Sequence, residues 1–312
     1  TAFLAAIDGA RTSTDTLAPA IAEASVAKVI SLRGDVRDFE TPFRELVDRA
    51  VREPGRLGSA ARVELLETAV RWAREKGDRD AAARWTEATG CVTAWTVAGP
   101  FGPLPLLNFD RTFPPESTGP LAASYDVGPG RGRRSVYTVR ARGCAANLGH
   151  GVTQTGVLYA SSDLRVERDT DADVQVESPN PFAVIVDGVT VATVDPRRRV
   201  TSSVTHTAVR LTAGVHTLRV KVASEFHSPL VVAMVTDRAG RPIGTWQPAS
   251  AGAHPVPPQV LGTESAPADD AYGAARAALD PYTRYVQAEL AFSRRNPVAA
   301  RELLLPIGTA AD

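Results

Sequence analysis

Between Val157 and Asp237 the chain alternates apolar and polar positions in short runs separated by turn residues. Leu164 and Val166 alternate with Arg165 and Glu167, and Val174 and Val176 with Asp173, Gln175 and Glu177. Leu218, Val220 and Val222 alternate with Thr217, Arg219 and Lys221. A period of two predicts strands with one face toward a core, so Thr217, Arg219 and Lys221 are expected to face out. The apolar run from Leu230 to Val235 predicts a buried strand. Turns are expected at Asp169-Thr170-Asp171-Ala172, Pro179-Asn180-Pro181 and Asp237-Arg238-Ala239-Gly240. Asp187-Gly188 lies between two β-branched runs, and a two-residue hairpin loop needs positive φ at both positions. That loop pairs Val186 with Val189 and Val184 with Val191. It places those valines and Phe182 on one face, and Ile185, Thr190 and Val194 on the other.

Upstream, Val92, Ala94, Thr96 and Ala98 alternate with Thr93, Trp95 and Val97, which predicts a strand ended by Gly99-Pro100. Residues 101–135 are rich in Pro and Gly and read as an extended loop with an aromatic anchor at Phe109 or Phe113. Val136, Thr138 and Arg140 predict another strand. Residues 244–268 read as a linker-like crossing.

Residues 1–90 change to helical spacing. Thr41-Pro42 predicts a helix start, with Thr as cap and Pro in the first helical position. Val63, Leu66, Ala69, Val70 and Ala73 follow one helical face, Gly77-Asp78 breaks it, and a helix resumes toward Trp85. From Ala271 the helical pattern returns, with a break at Arg295-Asn296-Pro297. The pattern divides the chain into a helical segment at 1–90, a sandwich at 91–250, a linker at 251–269 and a second helical segment at 270–312.

Length allows about two domains. Lys+Arg and Asp+Glu both total 35, so net charge is zero, which argues against nucleic acid as a partner. The runs at Arg131, Arg133 and Arg134 and at Arg197–Arg199 read as solvated turns. Only Lys28, Lys76 and Lys221 are lysines, so the positive charge is almost all Arg. No run approaches the roughly 18 apolar residues of a membrane span. The chain starts at Thr1 and is expected to be a processed or excised piece. A nucleophilic N-terminal Thr is disfavoured, because helix-like Phe3-Leu4-Ala5-Ala6-Ile7 follows where such a site needs a strand. Cys91 and Cys144 lack metal-ligand spacing; a disulfide and two buried thiols are both open.

Four places carry a resemblance: Trp95-Thr-Val-Ala-Gly-Pro-Phe101, Val186-Asp187-Gly188-Val189, Leu211-Thr-Ala-Gly-Val-His-Thr-Leu218, and Thr236-Asp237-Arg-Ala-Gly240-Arg-Pro242. With them, residues from about 92 to 246 resemble the jelly-roll domains of carbohydrate-binding modules and protective-antigen-type sugar-binding domains. The stretches from Trp72 to Trp85 and from Tyr285 to Leu304 resemble tetratricopeptide helix pairs. These resemblances imply an α+β multidomain chain: an antiparallel, jelly-roll-like β-sandwich flanked on both sides by helical repeat-like segments. They imply a non-enzymatic recognition module for a glycan or protein partner, inside a larger extracytoplasmic bacterial protein that adds further repeats of its own. A structural scaffold and a hydrolase fragment, with catalysis built elsewhere, are the alternative readings.

The chemistry-bearing residues are few. No Gly-x-Ser-x-Gly elbow and no phosphate loop is present, and Gly128-Pro129-Gly130-Arg131-Gly132 follows no βα unit. Of His150, His206, His216, His227 and His254, none has His-x-x-x-His spacing; His216 reads as a turn residue, and Glu225 with His227 as a loop tip. Sugar faces stack on aromatic rings, which makes Tyr125, Tyr137, Tyr159 and Trp246 the candidate ligand-binding residues. Asp169, Asp171 and Asp173 could offer oxygens to Ca²⁺, the one cofactor considered, but they lack the Gly and Glu of a calcium loop and read better as a solvated turn.

Overall fold

A computed structural model describes the chain outside residues 1, 14–17, 33–37, 54–56, 58, 117–120, 142, 150–154, 195–202, 225–228, 238–239, 250–258, 265–283, 286–287, 289–300, 303 and 306–312. His150, Arg197–Arg199, Glu225, His227 and His254 lie outside the described residues. The chain forms two units: Thr1–Thr89 with Ala239–Arg241 and Asp269–Asp312, and Gly90–Arg238 with Pro242–Ala268.

The first unit holds α1 (Ala2–Thr12), α2 (Ala18–Leu32), α3 (Glu40–Arg52), α4 (Ser59–Glu75) and α5 (Arg79–Ala88). Its core gathers Phe43, Leu46, Leu65, Leu66, Trp72 and Trp85. Among the described residues no helix is long and apolar enough to cross a membrane. Thr41 does not cap α3. That helix begins earlier, and its first intrahelical donor is Phe43 N–H, bonded to Phe39 O at 3.1 Å. Pro42 therefore sits in the first turn, where no N–H is required. The break at Gly77-Asp78 forms as expected: Gly77 takes φ 75°, and the Asp78 side chain caps α5 by accepting from Ala81 N. Of the segment 270–312, residues 284–285, 288, 301–302 and 304–305 are described, and they are helical.

The second unit is an antiparallel β-sandwich. Its strands are β1 (Ala94–Phe101), β2 (Ser124–Asp126), β3 (Arg133–Ser135), β4 (Tyr137–Arg140), β5 (Ala145–Asn147), β6 (Gly156–Val166), β7 (Thr170–Ser178), β8 (Phe182–Val186), β9 (Val189–Thr193), β10 (Ser203–Leu211), β11 (Gly214–Ser224), β12 (Leu230–Asp237), β13 (Thr245–Pro248) and β14 (Gln259–Glu264). One sheet runs β4-β1-β6-β11-β8-β9, with β13 also on β6; the other runs β14-β10-β7-β12-β5; β2 and β3 form a separate hairpin. Between the two sheets lies a core that includes Trp95, Phe182, Val184, Leu218 and Val220 facing Val174, Val176, Val209 and Val231.

Several expectations are corrected. β1 does not end at Gly99-Pro100 but runs on to Phe101 through an irregularity in its pairing with β6. Gly99 permits this, because a Cβ there would lie 2.7 Å from the Val157 carbonyl oxygen. Residues 101–135 are not one extended loop: they contain the short helix α6 (Pro105–Asn108), a 3-10 turn (Pro114–Glu116) and the β2-β3 hairpin. The linker-like stretch supplies two strands that a Pro-rich composition obscured: β13, with Trp246 opposite Leu164 of β6, and β14, with Val260 opposite Val209 of β10. The hairpin turn forms as expected, with Asp187 at φ 49° and Gly188 at φ 83°. Beyond Ile185↔Thr190 the register shifts and Val184 pairs with Ala192 instead of Val191. The extra residue reverses the parity of β9, so Val194 joins the core that it was expected to face away from.

Cys91 and Cys144 form a disulfide, with Cα atoms 5.2 Å apart. Cys91 also bridges Met234 of β12, while Cys144 directly precedes β5, which pairs with β12. The bond closes a separation of 53 residues, worth about 4 kcal/mol in a chain-entropy account.

Candidate functional site

The register of β11 on β6 sets Thr217 opposite Asp163, Arg219 opposite Ser161 and Lys221 opposite Tyr159, all on the sheet face away from the main core. That face is not solvated. Thr217, Arg219 and Lys221 are only 5 %, 6 % and 5 % exposed. The segment after β1 covers part of it. Phe109 packs on Ala183 and Ala223. Phe113 stacks on Phe101 at 5.0 Å and meets Tyr159 edge-on at 6.4 Å. Both expected aromatic anchors are thus in use.

Beneath this cover each polar group has a partner. Lys221 Nζ donates to Glu116 Oε1 at 2.7 Å and to the Arg111 carbonyl at 2.8 Å. Its ammonium lies 5.4 Å from the Phe109 ring centroid and 5.8 Å from that of Tyr159, a cation–π enclosure. Tyr159 OH donates to the same Glu116 oxygen. Burial first, then the bond to Glu116 and its charge, push the Tyr159 pKa far above the ordinary phenol range, so it stays neutral. Arg219 Nε donates to Ser161 Oγ at 2.9 Å; burial pulls its pKa down, against the upward pull of Tyr125, Tyr159, Asp163 and Glu116. Asp163 accepts from Thr217 Oγ1 at 2.8 Å.

A second buried ionic group sits at the end of the same strand pair. His216 Nδ1 lies 2.6 Å from Asp187 Oδ2, and His216 Nε2 lies 2.7 Å from the Thr212 carbonyl oxygen. Thr217 N donates to Asp187 Oδ1 at 2.7 Å. In a dyad that activates a nucleophile, the far ring nitrogen faces a hydroxyl or thiol. Here it faces a backbone carbonyl, so the pair holds two turns in place.

The structure brings Tyr125 and Tyr159 together in one aromatic cluster around Phe101, with ring centroids 5.8 and 5.7 Å from it. Both are buried. Tyr137 and Trp246 do not join that cluster: both are half-buried and pack against the main core. Tyr137 OH donates to the Leu148 carbonyl at 2.6 Å, and burial raises its pKa to about 12. Asp169 accepts from Ala213 N at 2.9 Å, Asp171 pairs with Arg210 at 2.8 Å, and Asp173 lies 3.4 Å from His206 Nδ1. Among the described residues no group of three His, Cys, Asp or Glu side chains is disposed to hold a metal.

Sequence reasoning missed Glu116, Lys221 and the Asp187–His216 pair. The rarity of lysine was the available signal for Lys221. Asp187 was fully explained by its turn, which hid its second role.

No protein-family model and no curated protein matches the chain in sequence. Solved structures similar to it include the PA14 domain of the MpAFP antifreeze protein, 11 % identical over 52 % of this chain and 94 % of that one, with a TM-score of 0.30. A family 35 carbohydrate-binding module from Clostridium thermocellum is 14 % identical over 30 % of this chain and 75 % of that one, with a TM-score of 0.22. A β-glucosidase from Kluyveromyces marxianus is 9 % identical over 35 % of this chain, with a TM-score of 0.30; the match spans 15 % of the β-glucosidase. Likenesses this distant transfer neither ligand nor activity.

Proposed function

We propose that the sandwich is a non-enzymatic recognition module whose ligand is a glycan, within an extracytoplasmic protein. One observation carries this reading. Among the described residues, the acids of the sandwich interior that could do acid/base work are held internally, Glu116 by Lys221 and Tyr159, Asp187 by His216, and Asp163 by the Thr217 hydroxyl. A scaffold so organised suits binding better than chemistry. The Cys91–Cys144 disulfide supports an oxidising compartment. Trp246 and Tyr137 retain solvent exposure and are assigned the stacking contacts; Tyr125 and Tyr159 are assigned to hold the fold around them. The helical segments are assigned to repeat-type arms.

The test is a glycan array with the whole chain, followed by titration of any hit. Trp246→Ala should weaken binding about tenfold, equivalent to about 1.4 kcal/mol, with the melting temperature nearly kept. A blank array, or a hit that ignores both Trp246→Ala and Tyr137→Ala, sinks this assignment. Specific capture of a protein by a chain that is blank on the array would replace the glycan with a protein partner.

A further inference from the structure

Among buried ionic groups, His216 is distinctive in that both its ring nitrogens meet acceptors. The residue is 5 % exposed. Asp187 Oδ2 stands 2.6 Å from Nδ1 and the Thr212 carbonyl 2.7 Å from Nε2. A backbone carbonyl has no hydrogen to give, and the Asp187 carboxylate already accepts from Thr217 N. Nε2 must therefore carry hydrogen, and with Asp187 as the carboxylate Nδ1 carries one too. The two acceptors belong to different connections: Asp187 to the turn between β8 and β9, Thr212 to the turn between β10 and β11.

We propose that His216 is a proton-dependent clamp: as the doubly protonated imidazolium it ties the β8-β9 turn, at the border of the sheet, to the β10-β11 turn, and loss of one proton breaks that tie. A neutral ring would point a lone pair at one of two acceptors less than 2.8 Å away. The ring must then leave one of them. Leaving Asp187 strands a carboxylate whose side chain is 2 % exposed, a costly state. Leaving Thr212 frees the second turn.

Among the described residues, few groups face His216. From the β8-β9 turn comes Asp187, and from its own connection the Thr212 carbonyl, beside which Asp169 caps Ala213 N. From β6 its register partner is the apolar Leu164, which in turn pairs with Trp246 of β13. Asp163, also on β6, is turned to the Thr217 hydroxyl. Asp187 is thus the carboxylate directly bonded to the ring.

The direction of the effect follows. Burial alone would lower the His216 pKa, but the bonds to Asp187 and Thr212 and the charge of Asp187 outweigh it, and the net shift is upward. A raised folded-state pKa means that the stabilisation is fully present below the unfolded value of about 6.5. It is lost as pH rises through the higher folded value. The clamp holds in acid and opens toward alkaline pH.

The test is NMR on the whole chain with ¹⁵N-labelled histidine. At pH 6 the His216 ring should show two N–H groups, and its midpoint should lie above about 6.5. The amide shifts of Gly188 and Thr217 should titrate with the same midpoint. In His216→Gln, which cannot titrate, that amide transition should vanish. A singly protonated ring at pH 6 overturns the proposal, and so does an amide transition that survives in His216→Gln. If His216→Gln does not fold, Asp187→Asn supplies the second reading: its ring midpoint should fall toward or below the ordinary value, and an unchanged midpoint overturns the clamp.

Discussion

β11 carries two triplets of alternating residues, and both are buried. Leu218, Val220 and Val222 enter the core between the sheets; Thr217, Arg219 and Lys221 lie on the opposite face under other parts of the chain. The first triplet needs only space of the right shape, because apolar burial is non-directional. The second needs a partner for every N–H and O–H, because a buried polar group without one costs roughly 1–3 kcal/mol. The partners come from far away in sequence: Glu116 and the Arg111 carbonyl stand more than 100 residues before Lys221. Alternation therefore fixes which face a residue occupies, and a distant segment decides whether that face is wet.

The largest expected effects set the two triplets against each other. Leu218→Ala should cost about 3 kcal/mol in urea unfolding, within the 2–5 kcal/mol range for buried truncations. Lys221→Met should cost about 2–3 kcal/mol, somewhat below the roughly 3–5 kcal/mol for breaking a fully buried pair, since the Glu116 side chain keeps 18 % exposure. The signature lies in the repair. Adding Glu116→Gln to Lys221→Met should recover more than half of that loss, whereas no second substitution on the inner face should rescue Leu218→Ala in this way. A Lys221→Met variant within about 0.5 kcal/mol of the parent, the range of ordinary surface changes, would mean that the outer face is open after all.

The comparison depends on register, and the Asp187-Gly188 turn helps to set it. A Cβ-branched side chain at Gly188, where φ is 83°, strains the backbone by about 1–2 kcal/mol. Gly188→Val should lower stability by that amount and leave glycan binding by the folded chain unchanged, since the turn is not part of the stacking surface. An unchanged melting temperature would show that the turn does not hold this conformation in solution. A folded variant that loses its ligand would move the turn into the binding site.

The strands β6 to β9, β11 and β12 and the hairpin turn were legible in the sequence because period two and Asp-Gly are local signals. β5 and β10 were not predicted, and β7 begins at Thr170, inside the turn expected at 169–172. Leu164, Val174, Val184 and Val220 were placed on the correct face by parity alone. The bulge in β9 was not legible: one extra residue leaves no mark in the residue types, yet it turned Val194 inward. Nor was the cover over Thr217, Arg219 and Lys221, since it rests on a Pro-rich stretch that reads as loop. β13 and β14 were lost for the same reason. The candidate aromatics were chosen for their stacking chemistry, but a sequence does not say that Tyr159 meets Phe101 and Glu116 instead of solvent. Asp187 shows the opposite failure: a sufficient local explanation concealed a long-range bond to His216.

The smallest expected effect tests whether burial, and not residue type, separates the two sheets. On β10 and β7 the same alternation places Arg210 opposite Asp171, with Nη1 2.8 Å from Oδ1. At 2.8 Å this ion pair is nearly as close as the buried Lys221–Glu116 pair at 2.7 Å. Yet the Arg210 side chain is 47 % exposed, so water and salt screen the attraction, and holding two long side chains together costs entropy. Arg210→Ala should change stability by about 0.5 kcal/mol or less, and the difference should disappear in 1 M salt, where the screening length is about 3 Å. Arg219→Ala, on the covered face, should cost more than about 1 kcal/mol, because it leaves Ser161 Oγ without its donor and opens a void beneath the aromatic cover. That larger loss should persist in high salt. Equal losses for the two arginines, or a salt-insensitive loss for Arg210, would show that exposure does not distinguish the two faces and that the outer layer of β6 and β11 is held by something other than its buried partners.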